Sequence, residues 1–244
     1  MGRMRRMSSY IRWAGVGLIA LLAAVGCAKA DMGADWLDKV SEKEGLAIGT
    51  LRSQDGVRYI KLDEKTCSQV MNPETLSDIM DGTRIFLEFR YVVSGSVVPF
   101  CTDAILVEWA TPIDQGTVYV LDFVEAFSAE KIDSGKYTDP MDIVTDWMTS
   151  LEDGFLTLHY QIPQSGNKKH SFALYRGMNG NGNYTFYLVH DADGDKGAVS
   201  DGIVCFDVSD VLPDTNGETV KLSLVYIDLN NTEKRLTVEY RSPK

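Results

Sequence analysis

Histidine is scarce in this chain, three in 244 residues, and positive charge is thin: Lys and Arg number 24 against 35 Asp and Glu. Four of those cations (Arg3, Arg5, Arg6 and Arg12) sit in the first twelve residues, so the formal charge of −11 becomes −15 once that leader is set aside. A chain of that sign lacks the cationic face that phosphate binding needs, so nucleic acid is not an expected partner. There is no G-x-S-x-G elbow, no H-E-x-x-H helix, no P-loop and no C-x-x-C pair, which removes the common nucleophilic, zinc and nucleotide chemistries. Neither an enzyme nor a cofactor is expected. What remains, 44% hydrophobic and 24% charged, is ordinary globular composition.

Long hydrophobic runs are missing too. The apolar stretch 13–25 follows a basic segment and makes about 20 Å of helix, short of a hydrocarbon core of roughly 30 Å. It therefore reads as an export signal and not a membrane span. Ala24-Val25-Gly26 directly before Cys27 resembles a bacterial lipobox, in which the cysteine thiol is acylated and becomes the new N-terminus. Several acyl chains, each worth about 0.8 kcal/mol per buried CH₂, then hold the protein on a membrane. A rival cleavage site, Ala28-Lys29-Ala30, would release a soluble protein starting at Asp31; the lipobox is preferred because it abuts the hydrophobic run. The expectation is a signal peptide over 1–26, lipid attachment at Cys27, a tether over 27–44 and, with Ala28 following the cysteine, an outer-membrane lipoprotein.

Three other cysteines remain, Cys67, Cys101 and Cys205. In an oxidising compartment an odd set allows one bridge and one free thiol. A Cys67 to Cys101 disulfide would close a loop of about 35 residues, worth roughly 4 kcal/mol on the chain-entropy model. The plainer reading, that all three are small buried hydrophobes, stands beside it.

From residue 46 onward short apolar runs alternate with turn residues every eight to fifteen positions, the pattern of an all-β chain. Runs 46–51 and 57–62 flank Ser53-Gln54-Asp55-Gly56, a hairpin signal. Asn72-Pro73-Glu74 reads as an N-cap with proline at the first helical position, opening one short helix that ends at Asp81-Gly82. Runs 84–93, 97–109 and 117–127 complete five strands, which fit a small OB-like barrel over 45–127. In the run 84–93, outward Arg84, Glu88 and Arg90 alternate with bulky Ile85, Leu87, Phe89 and Tyr91. Trp109, Tyr119, Phe123 and Phe127 alternate as core residues do. Residues 128–138, polar and containing Gly135, are the expected linker; six further strands over 139–244 read as a β-sandwich.

Several motifs then point to a family. Asp139-Pro140-Met141-Asp142-Ile143, Asp146-Trp147, Gly154-Phe155-Leu156-Thr157-Leu158, Lys169-His170-Ser171-Phe172-Ala173-Leu174 and Leu188-Val189-His190 resemble the C-terminal domain of the NigD-like lipoproteins of Bacteroidetes. Asp81-Gly82-Thr83-Arg84-Ile85-Phe86-Leu87 resembles the turn and strand of that family's N-terminal OB-like domain. The resemblance implies an OB-like barrel followed by a β-sandwich and an envelope location. It also implies, through the bacteriocin cluster that names the family, a role like that of an immunity protein.

The candidate chemistry lies with the histidines. Leu156, Leu158, Tyr160 and Ile162 form one face of the strand 155–162 and put His159 on the other. If Phe172 and Leu174 share that core face, a hairpin through 164–167 pairs 158 with 172. The next, through Gly180-Asn181-Gly182, pairs 172 with 188 and so sets His170 against His190. Two imidazoles on one face are half a metal site; Asp191, Asp193 and Asp195 follow at once, spaced like the start of an EF-hand loop. That loop needs Glu at its twelfth position, where Gly202 stands. The preferred reading is no metal, a stacked or hydrogen-bonded histidine pair at the rim of the core, and an acidic surface turn. Asp139, Asp142, Asp146, Glu152 and Asp153 cluster in sequence and carry the alternative reading of a glycan-active hydrolase or a glycan-binding accessory protein. The expected function is a non-catalytic lipoprotein anchored in the membrane that binds an unknown protein or glycan.

Overall fold

The computed structural model describes residues 40–63, 65–93, 95–122, 126–128, 131, 134–177 and 184–242. The leader, Cys27 and the Gly180-Asn181-Gly182 turn lie outside them.

The first half closes into a five-stranded barrel in the order β1-β2-β3-β5-β4. Its strands are β1 (Val40–Gln54), β2 (Val57–Lys61), β3 (Cys67–Val70), β4 (Arg84–Val92) and β5 (Asp103–Pro112). The hairpin between β1 and β2 turns on Asp55 and Gly56, both at positive φ (51° and 79°), with Gln54 opposite Val57. That is the tight turn whose twist matches a right-handed strand pair. Inward residues such as Leu51, Ile60, Ile85, Leu87 and Ile105 fill the barrel, and Leu76 and Ile79 pack into the same cluster. The expected short helix is a single 3₁₀ turn, Pro73–Leu76. Asn72 does not cap it through its side chain. Its amide instead donates to the Val107 carbonyl (2.8 Å) and accepts from the Val107 N–H (2.9 Å), clasping the segment to β5.

One strand of the barrel differs from the sequence expectation. The strand beginning at Thr117 does not close it; the short Cys67–Val70 does, paired with β2 on one side and parallel to β5 on the other. The chain leaves the barrel at Pro112 and joins the second unit at once. There β6 (Asp114–Gln115) runs parallel to β13 (Ala198–Asp207), and β7 (Thr117–Asp122) runs parallel to β11 (Ser171–Gly177). Tyr119, expected in a core, is 38% exposed and stacks on Tyr175. Phe127 packs against Tyr137 and Tyr175, and Phe123 lies outside the described residues.

The second unit is a sandwich. Along with β6 and β13, its first sheet contains β8 (Asp142–Val144), β9 (Ser150–Glu152) and β10 (Phe155–Gln164). That sheet runs β6-β13-β10-β8, with β9 also on β10. The second sheet adds β12 (Tyr184–Asp191), β14 (Val220–Ile227) and β15 (Glu233–Tyr240) in the order β15-β14-β12-β11-β7. Leu156, Leu158, Ile162 and Phe206 meet Leu174, Phe186, Leu188 and Leu224 between the layers.

β10 and β11 are consecutive yet lie in different sheets, so the expected 158 to 172 hairpin is not formed. Both edges of β10 are taken, by β13 on one side and β8 and β9 on the other. Leu158 and Phe172 still face one core, from opposite layers. In the β11–β12 hairpin, Phe172 opposes His190 and Leu174 opposes Leu188. The register differs by two residues from the one the sequence suggests. A slip of two keeps every side chain on its face, so the hydrophobic pattern cannot detect it.

Candidate functional site

His170 lies just before β11, and His190 near the end of β12 sits diagonally across from it. The imidazoles meet: His170 Nδ1 and His190 Nε2 are 2.8 Å apart, with the rings 15° from parallel. Phe172 covers the other side of His190 (13°, centroids 5.0 Å). His170 Nε2 faces Asp195 Oδ2 at 3.2 Å, and Asp195 accepts from the Ser165 hydroxyl (2.6 Å), the Ser165 N–H (2.9 Å) and the Lys196 N–H (2.8 Å). These bonds, led by those from Ser165, hold the Asp195 carboxyl below the usual carboxylate range. Burial, with the His170 charge second, pulls His190 down to about 4. His190 is 1% exposed, so the chain Ser165, Asp195, His170, His190 lies inside the fold. It is a hydrogen-bonded strut between the β10–β11 crossover and β12.

The weak metal set does not converge. Asp195 turns inward, whereas Asp191 accepts from the Asp193 N–H and Asp193 faces solvent beside Lys168. Among the described residues no three His, Cys, Asp or Glu side chains form a group that could hold a metal ion. The acidic run is divided in the same way. Asp139 accepts from the Ala192 N–H, Asp142 from the Leu229 N–H, Asp146 meets His159, Glu152 pairs with Arg84, and Asp153 binds Arg52 and Lys61. Cys67, Cys101 and Cys205 are free thiols; Cys67 and Cys101 lie close enough to perturb each other's ionisation, and Cys205 is buried apart from them.

The arrangement not foreseen from the sequence lies where the sandwich covers the barrel. On the outer face of the barrel, Ile48, Phe86 and Ile113 pack against Phe155 and Cys205, with Trp109, Met148 and Ile203 at the margin. Arg84 points out of the barrel as expected, but the sandwich buries it. Its guanidinium donates to Thr50 Oγ1 (3.2 Å), Thr157 Oγ1 (3.3 Å) and Glu152 Oε2 (3.2 Å). Beside it, Asp153 is gripped from the barrel by Arg52 (3.0 Å) and Lys61 (2.6 Å). Burial works to raise the Asp153 carboxyl, yet these two cations bring it below the ordinary value.

At the edge of this junction the Phe86 ring lies between Trp109 (5.4 Å) and Trp147 (6.1 Å). Trp109 donates its indole N–H to Glu88, while Trp147 remains 54% exposed. Trp147 is presented on a fixed turn: Asp146 Oδ1 accepts from the Met148 N–H (2.9 Å) and the Asp146 carbonyl from the Thr149 N–H (3.1 Å). The other Asp146 oxygen meets His159 Nδ1 (2.8 Å), and His159 Nε2 meets Asp201 (3.1 Å), which also accepts from Gln161 (2.9 Å). Both ring nitrogens face carboxylate oxygens, so both bonds form together only when the ring carries two protons. His159 does face away from the histidine pair, on a different sheet. The signal for this site was present as Asp146-Trp147 in a polar stretch; the sequence could not show that Phe86 and Trp109, from the barrel, stand behind it.

Comparison with known proteins follows this architecture. Three solved structures share the fold over most of this chain. A protein from Parabacteroides distasonis designated toxin-related is 21% identical, with TM-score 0.63 over 82% of this chain and 94% of that one. A NigD-like immunity protein from Bacteroides caccae is 19% identical, TM-score 0.55, over 83% and 99%. A protein from Bacteroides fragilis designated a lipoprotein is 12% identical, TM-score 0.59, over 83% and 100%. No curated protein matches the chain. Residues 124–240 match the model of the NigD-like C-terminal beta sandwich domain. Residues 124–240 of the chain are thus a NigD-like C-terminal beta sandwich domain.

Proposed function

We propose that this protein is a non-catalytic binding module of the cell envelope, and that it recognises its ligand with the aromatic edge where sandwich meets barrel. The observation that carries the reading is Trp147, more than half exposed on a hydrogen-bonded turn, backed by Phe86 and flanked by the Asp146, His159, Asp201 array. A large aromatic held rigid in water forgoes burial and loses little entropy on binding, which is the behaviour of an interface anchor. The leader and Cys27 support attachment to the outer membrane. A protein toxin as ligand is favoured by the designation of the Bacteroides caccae neighbour as an immunity protein. A glycan fits the same surface through ring stacking and carboxylate acceptors.

Site-specific photocrosslinking tests this. A benzoylphenylalanine at position 147 should give one discrete adduct in the native host, absent when the probe stands at Val199, which is equally exposed at 54%. Identical adducts at both positions, or none at 147, overturn the reading. Turnover of envelope glycans by the purified protein would replace it with the hydrolase alternative.

A further inference from the structure

We propose that Cys67 and Cys101 form a disulfide once the chain is exported, a staple that fixes the long β4–β5 connection to β3. Cys101 directly precedes Thr102, whose bonds to the Cys67 carbonyl set the two cysteines side by side, and the backbone around them is pinned. Thr102 donates its N–H (2.7 Å) and its hydroxyl (2.9 Å) to the Cys67 carbonyl, and Ser68 stands opposite Asp103 in the parallel β3–β5 pair. The connection carrying Cys101 is held on the same strand at a second point, where the Val98 N–H donates to Gln69 (2.9 Å), and Phe100 packs edge-on to Tyr59. Bridged sulfurs stand about 2.05 Å apart on Cα atoms roughly 4.4–6.8 Å apart, which is the reach of residues on adjacent paired strands.

The chemistry balances as thiol–disulfide exchange. Cys101, partly exposed, attacks the disulfide of an oxidant such as an exported dithiol oxidase, or oxidised glutathione in vitro, and expels one of its sulfurs as a thiolate. Cys67, buried beside it, then attacks the mixed disulfide. The S–S bond forms, two protons leave, and two electrons reduce the oxidant to its thiols. Burial raises both thiols, Cys67 to about 12, while the neighbouring Cys67 works to lower Cys101, so Cys101 is the thiol that attacks first. Cys205 has no such neighbour; it is 1% exposed beneath the barrel and its thiol is pushed up to about 12.

The full chain, exported with its own leader and recovered under acid quench, is alkylated and mapped without reduction. The expected product is a linked pair of peptides carrying Cys67 and Cys101, with Cys205 alkylated after denaturation. Oxidised protein should melt about 10 °C above reduced protein, as expected for a loop of this length. Cys101→Ser should abolish the difference between the two conditions. Three alkylated cysteines after incubation with oxidised glutathione, or a bridge that includes Cys205, overturn the proposal; neither readout depends on the ligand of the Trp147 surface.

Discussion

His190 gives up its charge to sit inside the sandwich. Its folded value near 4 lies below the 6.5 of an unfolded histidine, so between those limits the unfolded chain holds more protons. Stability therefore rises with pH across that window, is fully present above about 6.5 and is lost as pH falls through 4. The shift is worth about 3 kcal/mol. Urea titrations at pH 7 and pH 4.5 should show a lower midpoint in acid, and His190→Leu should flatten that dependence. Arg84 is the opposite case, a buried charge kept because three acceptors surround it. Arg84→Ala leaves a cavity and strands the Thr50 and Thr157 hydroxyls, an expected loss of about 2–4 kcal/mol. Arg84→Met, which refills the space, should recover part of it in the same assay.

The β10–β11 crossover depends on a close backbone contact. A Cβ at Gly197 would lie 2.2 Å from the Gln164 carbonyl oxygen and 2.6 Å from the Ser165 nitrogen, and neither can move without shifting the strands. Gly197→Ala should therefore cost about 2 kcal/mol or more, and should disturb the Ser165, Asp195, His170 chain next to it. Displaced imidazole signals in the NMR spectrum report that disturbance directly. Gly56→Ala is the contrasting control: at φ 79° with open space around it, it pays backbone strain of about 1 kcal/mol and leaves the imidazoles unmoved. The same crossover explains why the hairpin inferred from periodicity is absent. An alternating strand shows which face is apolar and says nothing about whether its neighbour in sequence lies beside it or across the core.

Barrel and sandwich are joined by the Arg84 cage, the two cations on Asp153 and the Phe86 cluster, and by a chain that enters the sandwich directly after Pro112. A fragment of residues 128–244 lacks β6 and β7, one strand from each sheet. It should melt below a fragment of residues 113–244, measured side by side by circular dichroism. Equal melting temperatures would mean that these two strands contribute nothing to the sandwich.

Much of the architecture is written locally. The Asp55-Gly56 turn, the strand alternation and the short proline-led turn at 73–76 arise from φ preferences and period-two burial, which act within a few residues. The NigD-like motifs are legible for the same reason, since each lies within one strand or turn. Long-range pairing decided the rest. Thr117–Asp122 left the barrel because β11 offered an edge, while Cys67–Val70, with four residues and one Gln, closed the barrel between two partners no pattern names. The histidine contact was foreseen though its register was not, because faces repeat every two residues and partners do not. Arg84 became buried and Trp147 gained its aromatic backing only when two separately legible units were brought face to face, and burial at such a junction is a property of both surfaces together.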